Sequence, residues 1–578
     1  MIGLPTDDNA SVNKYLRNKK LVSGAIAVVA IVILFFSTSA FSIVKILFTS
    51  ANKPELCTIH DKIVPPAFVH DNSTVLKILH DKNFRLKSVE KLAGAVQVDT
   101  QIGDNQPDVN EAPELWTQFK KFHKYLETTF PTVYEHLEVE TVNTYGLVFT
   151  WKGKSKKLKP LVLTAHQDEV PVQKSTLDKW TYPPFSGTYD GTWLYGRGSS
   201  DCKNVLVAIM ESIELLIEQG FKPERTVIAA FGFDDESSGI HGASHIAKHL
   251  EDKYGSYSIY AIIDEGTGLM TDPFSKQIMS LPAVGEKGYT DVVVNLTTPG
   301  GHSSVPPDHT SIGIMSELAY IIEKDPYSPI LSKNSPFLKY MQCGAVHGHN
   351  APSIARKAIV RAGFDKYANK KVVESLAKNP MAKYLIQTSQ AIDIIFGGEK
   401  ANALPEHVQM TVNHRIAVES SVEEVHNHFT KRVVEVAKRH GLGVVSFGKQ
   451  ILKGECGKGE FVIDSNHSLD PAPVSPSSGK VWDYLGGTIR HVFEDLVFTN
   501  LTYPIVTAPS LMPANTDTRY YWGLTKNIFR FSPFYAKDII KDNHIHSVDE
   551  KVEFDAHLQL LTFFYEYIQN VDTADAGH

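Results

Sequence analysis

Three apolar runs, each stopping at acids or a histidine, constrain this chain more than any other feature. Leu161-Val162-Leu163-Thr164-Ala165 ends at His166-Gln167-Asp168. The run from Thr226 to Phe233 ends at Asp234-Asp235-Glu236, and Tyr260-Ala261-Ile262-Ile263 ends at Asp264-Glu265-Gly266. Short apolar runs of this kind read as buried strands. A helical pattern over Val205 to Gln219, with Leu206, Ile209, Ile213, Leu216 and Ile217 turned inward, separates the first two. A second helix, about Gly242 to Asp252, separates the last two. Strand–helix–strand alternation predicts a parallel sheet. It would bring the three polar ends to one edge, where ligands gather in open α/β sheets.

The residue types at that edge point to metal. Asp201 stands just before the first helix, within Gly196-Arg197-Gly198-Ser199-Ser200-Asp201-Cys202-Lys203. Taken singly, such an Asp reads as a helix N-cap, and His166-Gln167-Asp168 as a polar strand end. Taken together, clustered carboxylates repel unless cations neutralise them. A His/Asp/Glu set without Cys ligands suits Zn, Mn or Co. Two ions sharing a carboxylate is an arrangement used by hydrolases.

At 578 residues the chain predicts more than one domain. A net charge of −7, with no basic block beyond the N-terminus, argues against a nucleic-acid partner. The four Cys (Cys57, Cys202, Cys343, Cys456) have no C-x-x-C spacing and allow one disulfide at most. Residues 1–20 form a basic tail, and Leu21 to Val44 carries no charge. At 1.5 Å per residue that run spans about 36 Å against a bilayer core of about 30 Å, so an N-terminal transmembrane helix is expected. The rival is a cleaved signal peptide, with small residues at Ser37-Thr38-Ser39-Ala40. The preceding positive charges favour a cytosolic tail and a lumenal body, making Asn72, Asn295, Asn466 and Asn500 candidate glycosylation sites.

Residues 45–110 read as a stem and lead-in, and 111–286 as the first part of a catalytic domain. Beyond Gly285-Glu286-Lys287-Gly288 the pattern changes. Tyr289 to Leu296 alternates, a loop carries His302, helices fall near 311–323 and 371–389, and a strand runs from Val408 to Ile416. This predicts a separate α+β module over 287–469, after which 470–578 returns to the catalytic domain and ends in a helix from Glu553 to Tyr567.

His166-Gln167-Asp168-Glu169-Val170-Pro171-Val172, the Gly196–Lys203 stretch and Asp234-Asp235-Glu236-Ser237-Ser238-Gly239 resemble the signatures of the co-catalytic zinc peptidases of family M20, over about residues 110–570. With its N-terminal anchor, the chain looks most like the vacuolar Gly-X carboxypeptidases of fungi within that family. The resemblance implies an α/β catalytic domain with a mostly parallel central sheet flanked by helices, plus an inserted ferredoxin-like lid through which relatives form homodimers. It implies two Zn2+, one held by His166 and Asp264, the other by Glu236 and His546, with Asp201 bridging. His546 is favoured over His544 because His546-Ser547-Val548-Asp549-Glu550 matches the family pattern. Asp168 would orient His166. The family usually carries Glu as general base where this chain has Asp235.

From the lid, His302 would stabilise the oxyanion, from the partner subunit in dimeric relatives, and Asn402 would bind substrate backbone. Arg415 would grip the substrate carboxylate; without the resemblance it reads as a strand-face ion pair. Asn515-Thr516-Asp517-Thr518-Arg519 resembles a family loop near the substrate. The implied function is release of a C-terminal amino acid from small peptides bearing a free carboxylate. The alternative is an N-acyl-amino-acid hydrolase using the same metals.

Overall fold

The computed structural model of the chain describes residues 39–348, 352–537 and 539–574. Its largest element is a ten-stranded sheet. The centre of the sheet is parallel: Val227–Gly232, Leu161–His166, Ala261–Thr271 and Ile528–Tyr535 lie side by side in that order. The flanks are not. The hairpin of Glu138–Val142 and Gly146–Trp151 adds antiparallel to Val227–Gly232, and Ala283–Glu286 meets Ile528–Tyr535 antiparallel. The sheet is therefore mixed rather than mostly parallel. Helical crossovers dictate parallel pairing only where they occur, and a tight turn joins the hairpin.

Both faces of the central strands are covered, which explains their unbroken apolar character. Leu161, Leu163, Ala229, Phe231 and Ile263 enter one core with the helices Lys203–Glu218 and Phe554–Val571. Val162, Ile228, Ala230 and Ile262 enter another with the helix Ala243–Tyr254 and Tyr521. The terminal helix Phe554–Val571 is buried along its whole length, not on one face only.

The stretch 45–110, read from sequence as a stem, is largely part of this body. Val75 and Ile78 of Ser73–His80, and Leu92, Ala95 and Val96 of Lys82–Val96, are buried. The expected transmembrane segment over 21–44 lies, up to residue 38, outside the described residues, as does the basic tail. Residues 39–44 of that run fall in the helix Ser39–Phe48. No helix among the described residues is long and apolar enough to cross a membrane.

The second sheet has six strands in the order Ser389–Gly397, His407–Ile416, Gly288–Thr297, Glu460–Leu469, Gly443–Ser446, Lys449–Leu452. It is antiparallel except for the Gly443–Ser446 and Glu460–Leu469 pair. Ser311–Lys324 and Val422–His440 pack on one face through Ile314, Leu318, Phe429 and Val433. The chain enters this module at Gly288, where a Cβ would lie 2.6 Å from the Leu469 carbonyl oxygen, so only glycine fits without a shift.

Between Ser311–Lys324 and Ser389–Gly397 the helices Pro336–His347, Ser353–Arg361, Lys366–Leu376 and Pro380–Tyr384 form an insert with its own core around Leu338, Val360 and Ile386. A disulfide, Cys57–Cys343, ties the insert to the N-terminal segment. Of the glycosylation candidates, Asn72, Asn466 and Asn500 are exposed. Asn295 lies within the strand Gly288–Thr297, paired on both sides, and accepts from Gln409 Nε2 at 2.9 Å.

Candidate metal centre

The C-terminal ends of the parallel strands converge on Asp201. His166 closes its strand opposite Gly232, and its Nε2 lies 3.2 Å from Asp201 Oδ1 and 3.4 Å from Glu265 Oε1. On the other side, Asp201 Oδ2 lies 3.1 Å from His546 Nε2, which is also 3.0 Å from Glu236 Oε1. Two donor groups thus share one carboxylate: His166, Asp201, Cys202 and Glu265, and Asp201, Glu236 and His546. Cys202 Sγ is taken up by the backbone N–H of His166 at 3.2 Å, leaving an imidazole and two carboxylates in the first group.

Glu265, not the predicted Asp264, stands at His166. The pleat gives the physical reason: neighbouring side chains of a strand face opposite sides. Glu265 shares its parity with Ile263 and faces the core of the Lys203–Glu218 helix, where Asp201 and Cys202 lie. Asp264 shares its parity with Ile262 and faces the core containing Tyr521. Its Oδ2 is buried without a hydrogen-bond partner among the described residues, and burial, with the charge of Asp235, pushes its carboxyl up to about 8.

The electrostatics suit divalent cations. Burial and the charge of Asp201 push Glu236 up to about 7, and the same causes push Glu265 well above the carboxylate range. Burial opposes the ionisation of Asp201 too, but its hydrogen bonds to His166 and His546 outweigh that and lower it. Hydrogen bonds to Asp201 and Glu236 raise His546 to about 10. Acids that cannot all ionise in a buried site, arranged around two imidazoles, are what a pair of cations would neutralise. The residues present therefore fit a dinuclear centre.

The supporting contacts are specific. Asp168 accepts from the backbone N–H groups of Asp235 at 3.2 Å and Glu236 at 3.0 Å, while its Oδ1 sits 3.3 Å from His166 Nδ1. One carboxylate thus orients a histidine and the turn that carries Asp235 and Glu236. Asp235 Oδ1 is buried with no hydrogen-bond partner among the described residues. His544 Nδ1 is bound to the Val548 carbonyl at 3.0 Å, so of the two histidines His546 is the one facing Asp201. His546 holds φ at +59°, a conformation sparsely used outside glycine.

Two motif residues whose role the sequence does not reveal occupy pivotal places. Glu550, fully buried, accepts from Ser200 N–H at 3.1 Å and Asp201 N–H at 3.3 Å and pairs with the buried Arg197. It thereby ties the His546 loop to the Asp201 loop. Asp517 is buried beside Asp235 with no donor to either oxygen among the described residues, and burial and the charges of Asp235 and Asp234 push it far up. Each sits in a largely polar run of the sequence, but only the contact reveals the use.

The lid residues are placed differently from one another. Arg415 reaches the catalytic domain: its NH1 donates to Asn515 Oδ1 at 3.1 Å, and its guanidinium lies 4.7 Å from the centre of the Tyr289 ring. It has no carboxylate partner among the described residues, unlike the ion pair that its strand position suggested. His302 and Asn402 lie together on an exposed ribbon, Gly301–His302 against Ala403–Leu404. Among the described residues, neither is hydrogen-bonded to either donor group; His302 Nδ1 is engaged by Ser304.

Residues 162–570 match peptidase family M20/M25/M40. The chain is 41% identical to carboxypeptidase S of Saccharomyces cerevisiae, over 99% of this chain and all of that one. It is 31% identical to the human N-fatty-acyl-amino acid synthase/hydrolase PM20D1, over 89% of this chain and 94% of that one. Among solved structures, the di-peptidase Dug1p of Saccharomyces cerevisiae superimposes with a TM-score of 0.56 at 12% identity, covering 87% of this chain and 99% of that one. Human carnosine dipeptidase 1 does so with 0.54 at 14%, covering 86% and 100%. These two share the fold; the sequence matches go further, and the chain belongs to peptidase family M20/M25/M40.

Proposed function

We propose that this chain is a metallocarboxypeptidase that releases the C-terminal amino acid of small, Gly-X type peptides. The observation that carries the reading is Asp201, whose two oxygens face two different histidines. The similarity to carboxypeptidase S over the full length supports the carboxypeptidase activity.

His166, Glu265 and Asp201 would hold one Zn2+, and His546, Glu236 and Asp201 the other. Glu265 takes the place that the sequence reading gave to Asp264. Bound there, the ions supply Lewis-acid polarisation of the scissile carbonyl and a water of lowered pKa. Asp235 would take the proton of the attacking water and return it to the leaving nitrogen. Asp168 keeps the His166 ring and the Asp235 turn in place. Arg415, desolvated and with no carboxylate partner among the described residues, grips the substrate's free carboxylate bidentately.

His302 donates to the oxyanion and Asn402 binds substrate backbone from a partner subunit. The edge strand Ser389–Gly397, with Ile394, Ile395 and Phe396 exposed, supports a homodimer through the lid. Leu21 to Val44 anchors the chain, with its body lumenal and, by family resemblance, vacuolar. The Cys57–Cys343 disulfide supports an oxidising compartment, where Asn72, Asn466 and Asn500 are open to glycosylation.

The test is metal content and hydrolysis on the purified chain, with a blocked Gly-Leu dipeptide, before and after chelation. About two zincs per chain and chelator-sensitive release of leucine are expected. Glu236→Ala should lose one metal and activity by orders of magnitude. Chelator-resistant release would overturn the reading. A second reading, hydrolysis of N-acyl amino acids, is favoured by an open surface groove lined by Ile102, Pro171, Val172, Leu177 and Phe185 together with Gln101 and Lys174, beside the Asp168 loop. Faster turnover of a long-chain N-acyl amino acid than of the dipeptide would select it.

A further inference from the structure

The helical insert has a charge balance opposite to that of the chain. From Ser353 to Tyr384 there are eight Lys or Arg against two acids, Asp365 and Glu374, hence +6 within a chain of net −7. Its outer surface is also apolar: Ile354 is 56% exposed, Phe364 69% and Met381 74%. These are large side chains left in water beside exposed cations such as Lys366, Lys370 and Lys378.

The insert is joined to the segment that follows the uncharged run Leu21 to Val44. The helix Ser39–Phe48 buries Ile46 and leaves Leu47 and Phe48 exposed, the latter 87%. Lys357 Nζ donates to the Leu47 carbonyl at 2.7 Å, and Arg361 NH1 to Thr49 Oγ1 at 3.2 Å. The Cys57–Cys343 bond holds the same N-terminal segment to Pro336–His347. Phe48 stands four residues beyond Val44, or about 6 Å along a helix. A run that spans a bilayer and ends there sets the insert at the bilayer surface.

We propose that the insert helices Ser353–Arg361, Lys366–Leu376 and Pro380–Tyr384, with the outer side of Ser39–Phe48, rest on the anionic phospholipid headgroups of the membrane in which the chain is anchored. Mixed Lys and large apolar side chains suit a headgroup layer, with lipid phosphates to meet the cations and acyl chain to take the apolar tips. The inference rests on the anchored reading given above. It adds that the lid is laid on the membrane and not merely tethered near it.

The test uses the full chain in vesicles of phosphatidylcholine, with or without about 30 mol% phosphatidylserine. A Phe364→Cys substitution in a Cys456→Ser background carries an environment-sensitive fluorophore, quenched by spin-labelled lipid. Resistance to alkaline carbonate reads the anchor separately. The expected result is carbonate resistance, with quenching at least twofold greater with phosphatidylserine and lost when Lys366, Lys370 and Lys378 are changed to Glu. Dipeptide hydrolysis, unchanged in these variants, shows that they are folded. A carbonate-resistant chain whose probe is not quenched in either vesicle overturns the proposal and leaves the anchor standing; a protein partner would then be the occupant of this face. A chain released by carbonate without quenching overturns both. Release with salt-sensitive quenching overturns the anchor alone and supports headgroup contact.

Discussion

Replacing Glu550 by Ala tests whether one buried carboxylate holds the metal-binding loops together. In the structure Glu550 is 0% exposed and Arg197 4%, and the pair lies between the Asp201 and His546 loops. Removing one partner of a buried pair costs about 3–5 kcal/mol, because the other charge stays buried alone. The N–H groups of Ser200 and Asp201 lose their acceptor as well, at about 1–3 kcal/mol for each group left dry. Water entering the space returns part of that, and the Trp180 ring, 5.6 Å from the guanidinium, still faces Arg197. The net is about 4 kcal/mol. At roughly 2–4 °C per kcal/mol, the apparent melting temperature of the catalytic domain should fall by about 8 °C or more.

Differential scanning calorimetry measures the shift, read as a midpoint since a chain with two cores need not unfold in two states. Equilibrium dialysis against zinc should show at least a tenfold weaker second site, because the backbone of Asp201 is no longer fixed. The double variant Arg197→Met/Glu550→Met should regain at least half of the lost stability, since no charge is then buried alone. A shift below 2 °C in Glu550→Ala with full metal loading would refute the reasoning, as would a double variant no more stable than the single one.

Asp235→Asn should lower kcat by about 10^2–10^4-fold with metal content unchanged, whereas Asp235→Glu should stay within about tenfold of the parent; an active Asn variant would remove Asp235 from the base role. The metal-free protein should become less stable as pH rises. His546 is raised from 6.5 to about 10, so its contribution is complete below 6.5 and lost through 10. Glu236, raised from 4.5 to about 7, adds a penalty that grows between those values. Zinc affinity should rise over the same range as those protons leave, and melting curves with and without zinc at several pH values check both signs. Thiol titration without reductant should find one fast-reacting group, Cys456, and a second, Cys202, only after denaturation; four reactive thiols would mean that the Cys57–Cys343 bond is absent.

Much of the site was legible because it is written locally. A strand covered on both faces must be apolar throughout, so the residue where the run stops is visible without coordinates, as at His166, Glu236 and the Asp264-Glu265 pair. The helix following Asp201 was legible from its period. His546 was legible only through its motif, since nothing local distinguishes it from His544. The tail of the family pattern, Glu550, carried no signal of what it holds.

What the sequence by itself determined is the set of parts: the apolar strands, their polar ends, the crossover helices and the change of pattern after Gly288. Those follow from backbone hydrogen bonding and side-chain period, which act over a few residues. Only the tertiary structure decided that Glu265 rather than Asp264 faces His166, because that depends on which helix covers which face of the sheet. It also decided that 73–96 packs into the body, that the sheet is mixed, and that Arg415 meets Asn515 while His302 and Asn402 stay on the outer ribbon. Such choices rest on contacts between segments about a hundred residues or more apart in most cases, made by burial and charge pairing that no local pattern encodes.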